Sequence, residues 1–327
     1  MNYSDKIYGQ VSIAEPVILD LINCPSLQRL KYIDQAGYSK AFYPGQGHNR
    51  FEHSVGVYLL LKKYKAPLKE QIAGLIHDVS HSAFSHAIDY VLDQGTEKEQ
   101  SHQDTIFAEF VNKSEIPSIV IKHHLDINYI LNEENFPLLE TNLPDLCADR
   151  IDYSLQSATI YNEITKNEIN QLLNSLVTIN QQWVFTNELN ASQFAKLYSR
   201  LNKKYWSGPT TAAMFKTVGE CVKYAIDKNY ISQKDLYTTD EQVISKIKKR
   251  LPQDTKLKHL FRRMDNKVAY KNDPGKSSAP LFCKSRAVDP LVKHKQKIVR
   301  LSALDPNWKN TIQQELQPKQ YFLNFAD

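Results

Sequence analysis

Eight of the chain's ten histidines lie between His48 and His124. Most stand on stretches whose apolar residues recur at helical spacing. Chance would spread ten imidazoles over all 327 residues. A fold open to this chain must therefore carry imidazoles on several helices toward a shared interior. Two segments hold most of them: His48-Asn49-Arg50-Phe51-Glu52-His53-Ser54, and His77-Asp78-Val79-Ser80-His81-Ser82-Ala83-Phe84-Ser85-His86.

The adjacent pair His77-Asp78 follows the apolar run Ile72-Ala73-Gly74-Leu75-Ile76. Burial of that run places the pair at the inner end of a helix. Neighbours in a helix point about 100° apart, so two adjacent ligands occupy only one corner of an ion's shell. Further ligands must come from other helices. His53 stands on the preceding helix, and Asp149 in Cys147-Ala148-Asp149-Arg150-Ile151-Asp152-Tyr153. Two imidazoles and two carboxylates make a mixed nitrogen and oxygen site that suits Mn, Fe, Co, Ni, Zn or Mg and leaves room for water and phosphate oxygens.

The spacing predicts a mainly α chain. A first helix ends near Pro25, where a second begins, because proline breaks the hydrogen-bond ladder. Tyr43-Pro44-Gly45-Gln46-Gly47 reads as a loop. Helices follow at 50–64, 68–78, 83–94, 101–112, 115–123, 143–160 and 166–176. Val177-Thr178-Ile179 and Trp183-Val184-Phe185-Thr186 flank Asn180-Gln181-Gln182 as a short β-hairpin. Helix resumes over 192–228 and 238–250. The segment 264–300 has strand-like pieces with Pro274-Gly275 as a turn. A boundary near 250, at Pro252 and a shift in charge, divides a main domain (1–250) from a small basic α+β region (251–327).

Hydrophobic residues make up 42% of the chain, enough for a sizeable core. No run approaches the roughly 18 apolar residues that cross a bilayer, and the N-terminus has no apolar signal segment. The four cysteines are far apart and form no Cys-x-x-Cys pair. The expectation is a protein of a reducing cytoplasm without membrane contact. From Lys246 onward there are 19 Lys and Arg against 7 Asp and Glu, whereas the remainder has 22 against 29. This basic quarter is either a solvated surface or a face for nucleic acid, phosphate-rich ligands or an acidic subunit. There is no Gly-rich phosphate loop and no Ser or Cys with the setting of a nucleophile.

The chain resembles the HD-domain deoxynucleoside triphosphate triphosphohydrolases, especially the branch whose animal member carries a sterile-alpha-motif domain. The match runs from near Gly9 to about residue 230 and includes no sterile-alpha-motif domain. It is carried by Pro25-Ser26-Leu27-Gln28-Arg29-Leu30-Lys31-Tyr32-Ile33, by His48 through Val57, and by Ile72 through Asp78 with the continuation to Phe84-Ser85-His86. The resemblance implies an HD-domain helical bundle with the short hairpin and the basic C-terminal region. It implies one divalent metal, with room for a second, held by His53, His77, Asp78 and Asp149. It places His81, His86 and His102 along the phosphate path, with Asp89 orienting His102. Imidazoles there would bind phosphate oxygens and protonate the leaving oxygen. Arg50 and Arg150 are candidates for phosphate contacts, Arg150 standing where the family has lysine. Gln28 and Tyr153 match positions that contact the nucleoside sugar. A homo-oligomer is also implied.

Two positions depart from the family: Ser157 stands where an acidic residue binds the sugar hydroxyl, and Ala212 where a tyrosine packs on the sugar. Both lie at the sugar end and leave the metal and phosphate end intact. The leading reading is hydrolysis of a dNTP to deoxynucleoside and triphosphate by a metal-activated water. One alternative is hydrolysis of a nucleoside monophosphate, modified nucleotide or other phosphoester. Another is a two-metal variant using His81, His102, His123 or His124. The alternative of a different class is a nucleotide sensor or nucleic-acid binder.

Overall fold

The computed structural model describes residues 1–91, 102–275 and 280–326, and it is mainly α. At its centre is the helix Arg50–Lys63. Asn49 caps it through a reciprocal pair: the Asn49 side chain accepts from the Glu52 N–H, and the Glu52 carboxylate accepts from the Asn49 N–H. Two donors that the helix start would otherwise leave unpaired are thus satisfied. Arg50, Phe51 and the run His53–Leu61 are buried, so this helix is enclosed on all sides.

Leu68–Ile76 and Ala148–Ile160 pack against it. Glycines permit both approaches. A Cβ at Gly56 would fall 2.3 Å from an Asp152 carboxylate oxygen, and one at Gly74 would fall 2.5 Å from a Leu61 methyl. The three elements meet where the first carries His53, the second runs into His77-Asp78, and the third opens with Asp149.

Some boundaries differ from the sequence reading. The second element leaves the helix at Ile76, and His77–Ser80 form a turn in which the Val79 N–H bonds Ile76 and the His81 N–H bonds Asp78. The helix expected from 143 begins at Ala148, because Pro144 cannot donate and Cys147 is extended, its sulfur accepting the Arg150 N–H. Within the expected helix 83–94 the described part is a 3₁₀ segment, Ser85–Tyr90, entered through left-handed backbone at Phe84 and Ser85. Ser85 is held there by its side chain, which donates to the Asp34 carbonyl and accepts from Arg50 Nε. Residues 92–94 of that expected helix, and Ser101 of the next, lie outside the described residues.

The hairpin is Leu176–Ile179 and Gln182–Phe185, turned at Asn180-Gln181, both with positive φ. It belongs to a larger sheet. Gln182–Phe185 pairs in parallel with Leu291–His294, which pairs antiparallel with Lys297–Arg300. Residues after 250 enter both hydrophobic cores. Val292, Leu301 and Trp308 join the core around Arg50–Lys63. Leu257, Phe261 and Met264, from a helix Thr255–Met264, join the second core around Pro209–Asp227. No helix among the described residues is long and apolar enough to cross a membrane.

Candidate metal centre

His53, at 0% exposure, points its two ring nitrogens at two carboxylates. Nδ1 lies 2.8 Å from Asp152 Oδ2, and Nε2 lies 2.8 Å from Asp149 Oδ1. His77 Nδ1 lies 2.8 Å from the Gly74 carbonyl, which cannot donate, so Nδ1 carries a proton and Nε2 is the nitrogen turned to the carboxylates. That Nε2 is buried without a hydrogen-bond partner. It stands 3.5 Å from Asp149 Oδ1 and 3.5 Å from Asp78 Oδ1. Asp78 Oδ2 is 3.8 Å from His53 Nε2.

These separations match the edges of a coordination shell, since metal–ligand bonds of about 2.0–2.2 Å place neighbouring ligand atoms about 3–3.5 Å apart. His53, His77 and Asp149 each offer a ligand atom within 4.8 Å of the others. Asp78 lies outside that three-residue group: its Oδ1 stands 3.5 Å from His77 Nε2, and its Oδ2 accepts from Arg50 Nη1 at 2.7 Å. The orphaned His77 nitrogen and the mixed donor set both fit a divalent cation.

Electrostatics agree with this placement. Burial favours the neutral acid at Asp78, but Arg50 and then His77 outweigh it and hold the carboxyl well below the usual range. Burial likewise opposes protonation of His53, yet its hydrogen bonds to Asp149 and Asp152 prevail and raise the imidazole to about 10. This contribution to the metal-free protein is complete below the ordinary value of 6.5 and is lost as pH rises through about 10. A metal held by His53 would displace that proton, so metal affinity is expected to rise with pH above neutrality, with proton release on binding. Calorimetric titration in buffers of different ionisation enthalpy measures the released proton. A pH-independent affinity would contradict a protonated His53.

The other expected residues separate into groups. His81 Nε2 lies 3.3 Å from Asp78 Oδ1, and the His81 and His86 rings meet edge to face at 5.2 Å. Burial, then Arg50, keeps both imidazoles neutral. Asp89 Oδ1 accepts the His102 backbone N–H, and the His102 ring faces Tyr237 at 3.0 Å. Arg150 lines the cleft but holds Glu140 at 2.8 Å. His123 is tied to Asp20 on another face, so it adds no ligand here.

Gln28 stands apart from the cleft. Its amide donates to the Ile22 carbonyl and accepts from Lys31, closing the end of the helix Pro16–Asn23. Gln35 lines the cleft instead, with its side-chain oxygen buried and unpartnered. Asp152 was also absent from the sequence reading. Fully buried, it accepts from Tyr8 at 2.8 Å and orients His53. Its spacing of three from Asp149 put both on one helix face, which was the available signal.

Beside the metal cleft lies a second cavity walled by Tyr153, Tyr161, Tyr205, Trp206 and Phe215. Tyr205 and Trp206 come from a π-helical turn, Asn202–Trp206, an insertion that often marks functional sites. The two cavities share Gln35, His86, Tyr153 and Arg286. Ser157 lines the aromatic cavity and accepts from the Trp206 indole at 3.3 Å. Ala212 is wholly buried in the second core.

A profile described as the HD domain matches residues 50–155. The chain is 36% identical over 247 residues to the uncharacterized protein YdhJ of Bacillus subtilis, covering 75% of this chain and 74% of that one. It is 28% identical over 319 residues to the metal-dependent phosphohydrolase cns2 of Cordyceps militaris, covering 95% and 90%. The deoxynucleoside triphosphate triphosphohydrolase SAMHD1 of Mus musculus matches at 33% over 152 residues, covering 39% of this chain and 23% of that protein. A hypothetical protein from Aquifex aeolicus shares the fold, with a TM-score of 0.74 at 19% identity over 100% of this chain and 96% of that one.

Proposed function

The chain belongs to the HD-domain family of metal-dependent phosphohydrolases, and from that premise we propose that it hydrolyses a phosphoester bond of a nucleotide, with dNTPs the first substrates to test. The observation that carries this reading is the aromatic cavity opening onto the metal cleft. A base stacks on aromatic rings, and the attached phosphate then reaches the ligand cluster.

The proposed ligands are His53, His77, Asp78 and Asp149. A divalent ion bound there supplies an activated water and a positive charge beside the phosphoryl oxygens. The protein's own groups prepare the site. Arg50 neutralises Asp78 and keeps it ionised. Asp152 and the Gly74 carbonyl fix which imidazole nitrogens face the centre. His86 lines the cleft and His81 lies against Asp78, where each would hydrogen-bond phosphate oxygens. Gln35 and Tyr153, at the junction of the cavities, would contact the sugar.

Hydrolysis of a nucleoside monophosphate or another small phosphoester is the second reading, and the sugar end favours it. The Ser157 hydroxyl is engaged with Trp206, and Ala212 does not reach the cavity. Two sugar contacts of the triphosphohydrolases are thus replaced by the aromatic wall. A screen of dNTPs, NTPs, monophosphates and generic phosphoesters with several divalent metals decides between them. Release of deoxynucleoside from dNTPs, absent from the Asp78→Ala protein, is the expected result. Turnover of monophosphates alone would select the second reading. No nucleotide turnover with any metal would overturn both.

A further inference from the structure

The C-terminal region sends a short segment, Lys284–Arg286, into the cleft wall. It follows the strand Leu281–Cys283, which pairs with Lys319–Tyr321. Its backbone is fixed from beneath. Asn202, at 0% exposure, donates from its side-chain amide to Ser285 Oγ at 2.9 Å and accepts the Arg286 N–H at 3.1 Å. The same amide donates to the buried Glu315 at 3.0 Å. Asn202 opens the π-helical turn that also carries Tyr205 and Trp206 into the aromatic cavity. One local distortion therefore sets the stacking wall and the position of Arg286 together.

Arg286 is the one cation that lines both cavities among the described residues. Its charge acts on His86 and on Tyr153, two of the other residues at the junction. Its Nη1 donates to the Lys284 carbonyl at 3.5 Å, within the same segment. A nucleotide with its base in the aromatic cavity and a phosphate at the metal cluster must pass its phosphoester linkage through this junction. We propose that Arg286 is a substrate-binding residue, gripping a phosphate oxygen of the nucleotide where the two cavities meet. The assignment rests on the nucleotide reading above. A planar guanidinium on a pinned backbone can present two parallel N–H groups to a phosphate, which a lysine at the same place cannot. Part of the basic C-terminal region thereby acquires a role in the site itself.

The test compares wild type with Arg286→Ala and Arg286→Lys, all metal-loaded. Binding is measured by calorimetry for inorganic triphosphate and for a poorly hydrolysed nucleotide analogue, alongside KM and kcat on the best substrate. Arg286→Ala is expected to weaken nucleotide binding and raise KM at least about tenfold, the scale of a lost charge-assisted contact. The effect on kcat should be smaller, metal content unchanged, and Arg286→Lys intermediate. Because the segment is pinned through its backbone and Ser285, truncating this side chain leaves those bonds in place. Binding of both ligands within twofold of wild type would overturn the proposal. Triphosphate binding that depends on Arg286, in a protein that binds no nucleotide, would sink the nucleotide reading while supporting the anion contact.

Discussion

Replacing Asp78 with alanine is expected to remove bound metal and lower phosphoester hydrolysis about a thousandfold or more. The size follows from the several kcal/mol that a metal ion contributes to a phosphoryl transition state, at about 1.4 kcal/mol per factor of ten. Asp78 has two partners to lose. One oxygen faces His77, and the other holds Arg50 at 2.7 Å in the interior. Alanine would leave that guanidinium buried without its counter-charge, a loss of about 3–5 kcal/mol of stability. Asp78→Asn is therefore the companion variant. Its amide oxygen can still accept from Arg50, so the fold should survive, while its neutral donor set binds a divalent ion poorly. Metal content by elemental analysis, circular dichroism and turnover are measured on both. Wild-type turnover by a folded Asp78→Asn protein would rule the residue out as a ligand.

Asp152→Ala should cost about 10–100-fold in metal affinity while leaving the four proposed ligands intact, as expected for a carboxylate that orients a metal-bound imidazole. Asp152 lies at 0% exposure and is the acceptor opposite His53 Nδ1. Without it the His53 ring loses both its preferred tautomer and its fixed rotation. Tyr8, which donates to the far oxygen of Asp152, provides the graded control. Tyr8→Phe removes only the outer hydrogen bond and should change affinity less than about threefold. Competition against a chromogenic chelator gives the dissociation constants. An unchanged metal affinity in a folded Asp152→Ala protein would mean that His53 needs no orienting carboxylate.

Most of the helical architecture was legible from the chain, and three of the four expected ligands, His53, His77 and Asp149, come together in the structure. Apolar periodicity reports helices because it reflects contacts three and four residues apart. The His77-Asp78 pair after a buried run marked where one helix would end. The limits were equally physical. Gln28 and Gln35 lie seven residues apart in one segment, and spacing alone does not distinguish them. The chain leaves the helix between them through a 3₁₀ turn, Leu30–Tyr32, so one amide closes a helix end and the other enters the cleft. Ser85 and Phe84 adopt left-handed backbone that no local propensity of serine or phenylalanine calls for; tertiary hydrogen bonds to Arg50 and Asp34 impose it on Ser85.

The mainly α character and the residue types that could hold a divalent ion can be read along the chain. Each of these depends on side-chain chemistry and on neighbours within a turn or two. Tertiary structure alone decided which side chains share a point. Gly56 lets Asp152 approach His53 from a helix almost a hundred residues away. A buried asparagine in a π turn holds Arg286 at the junction of two cavities. Such meetings are fixed by how closely helices pack and where their ladders break. Those energies arise between distant segments and leave no periodic trace along the chain.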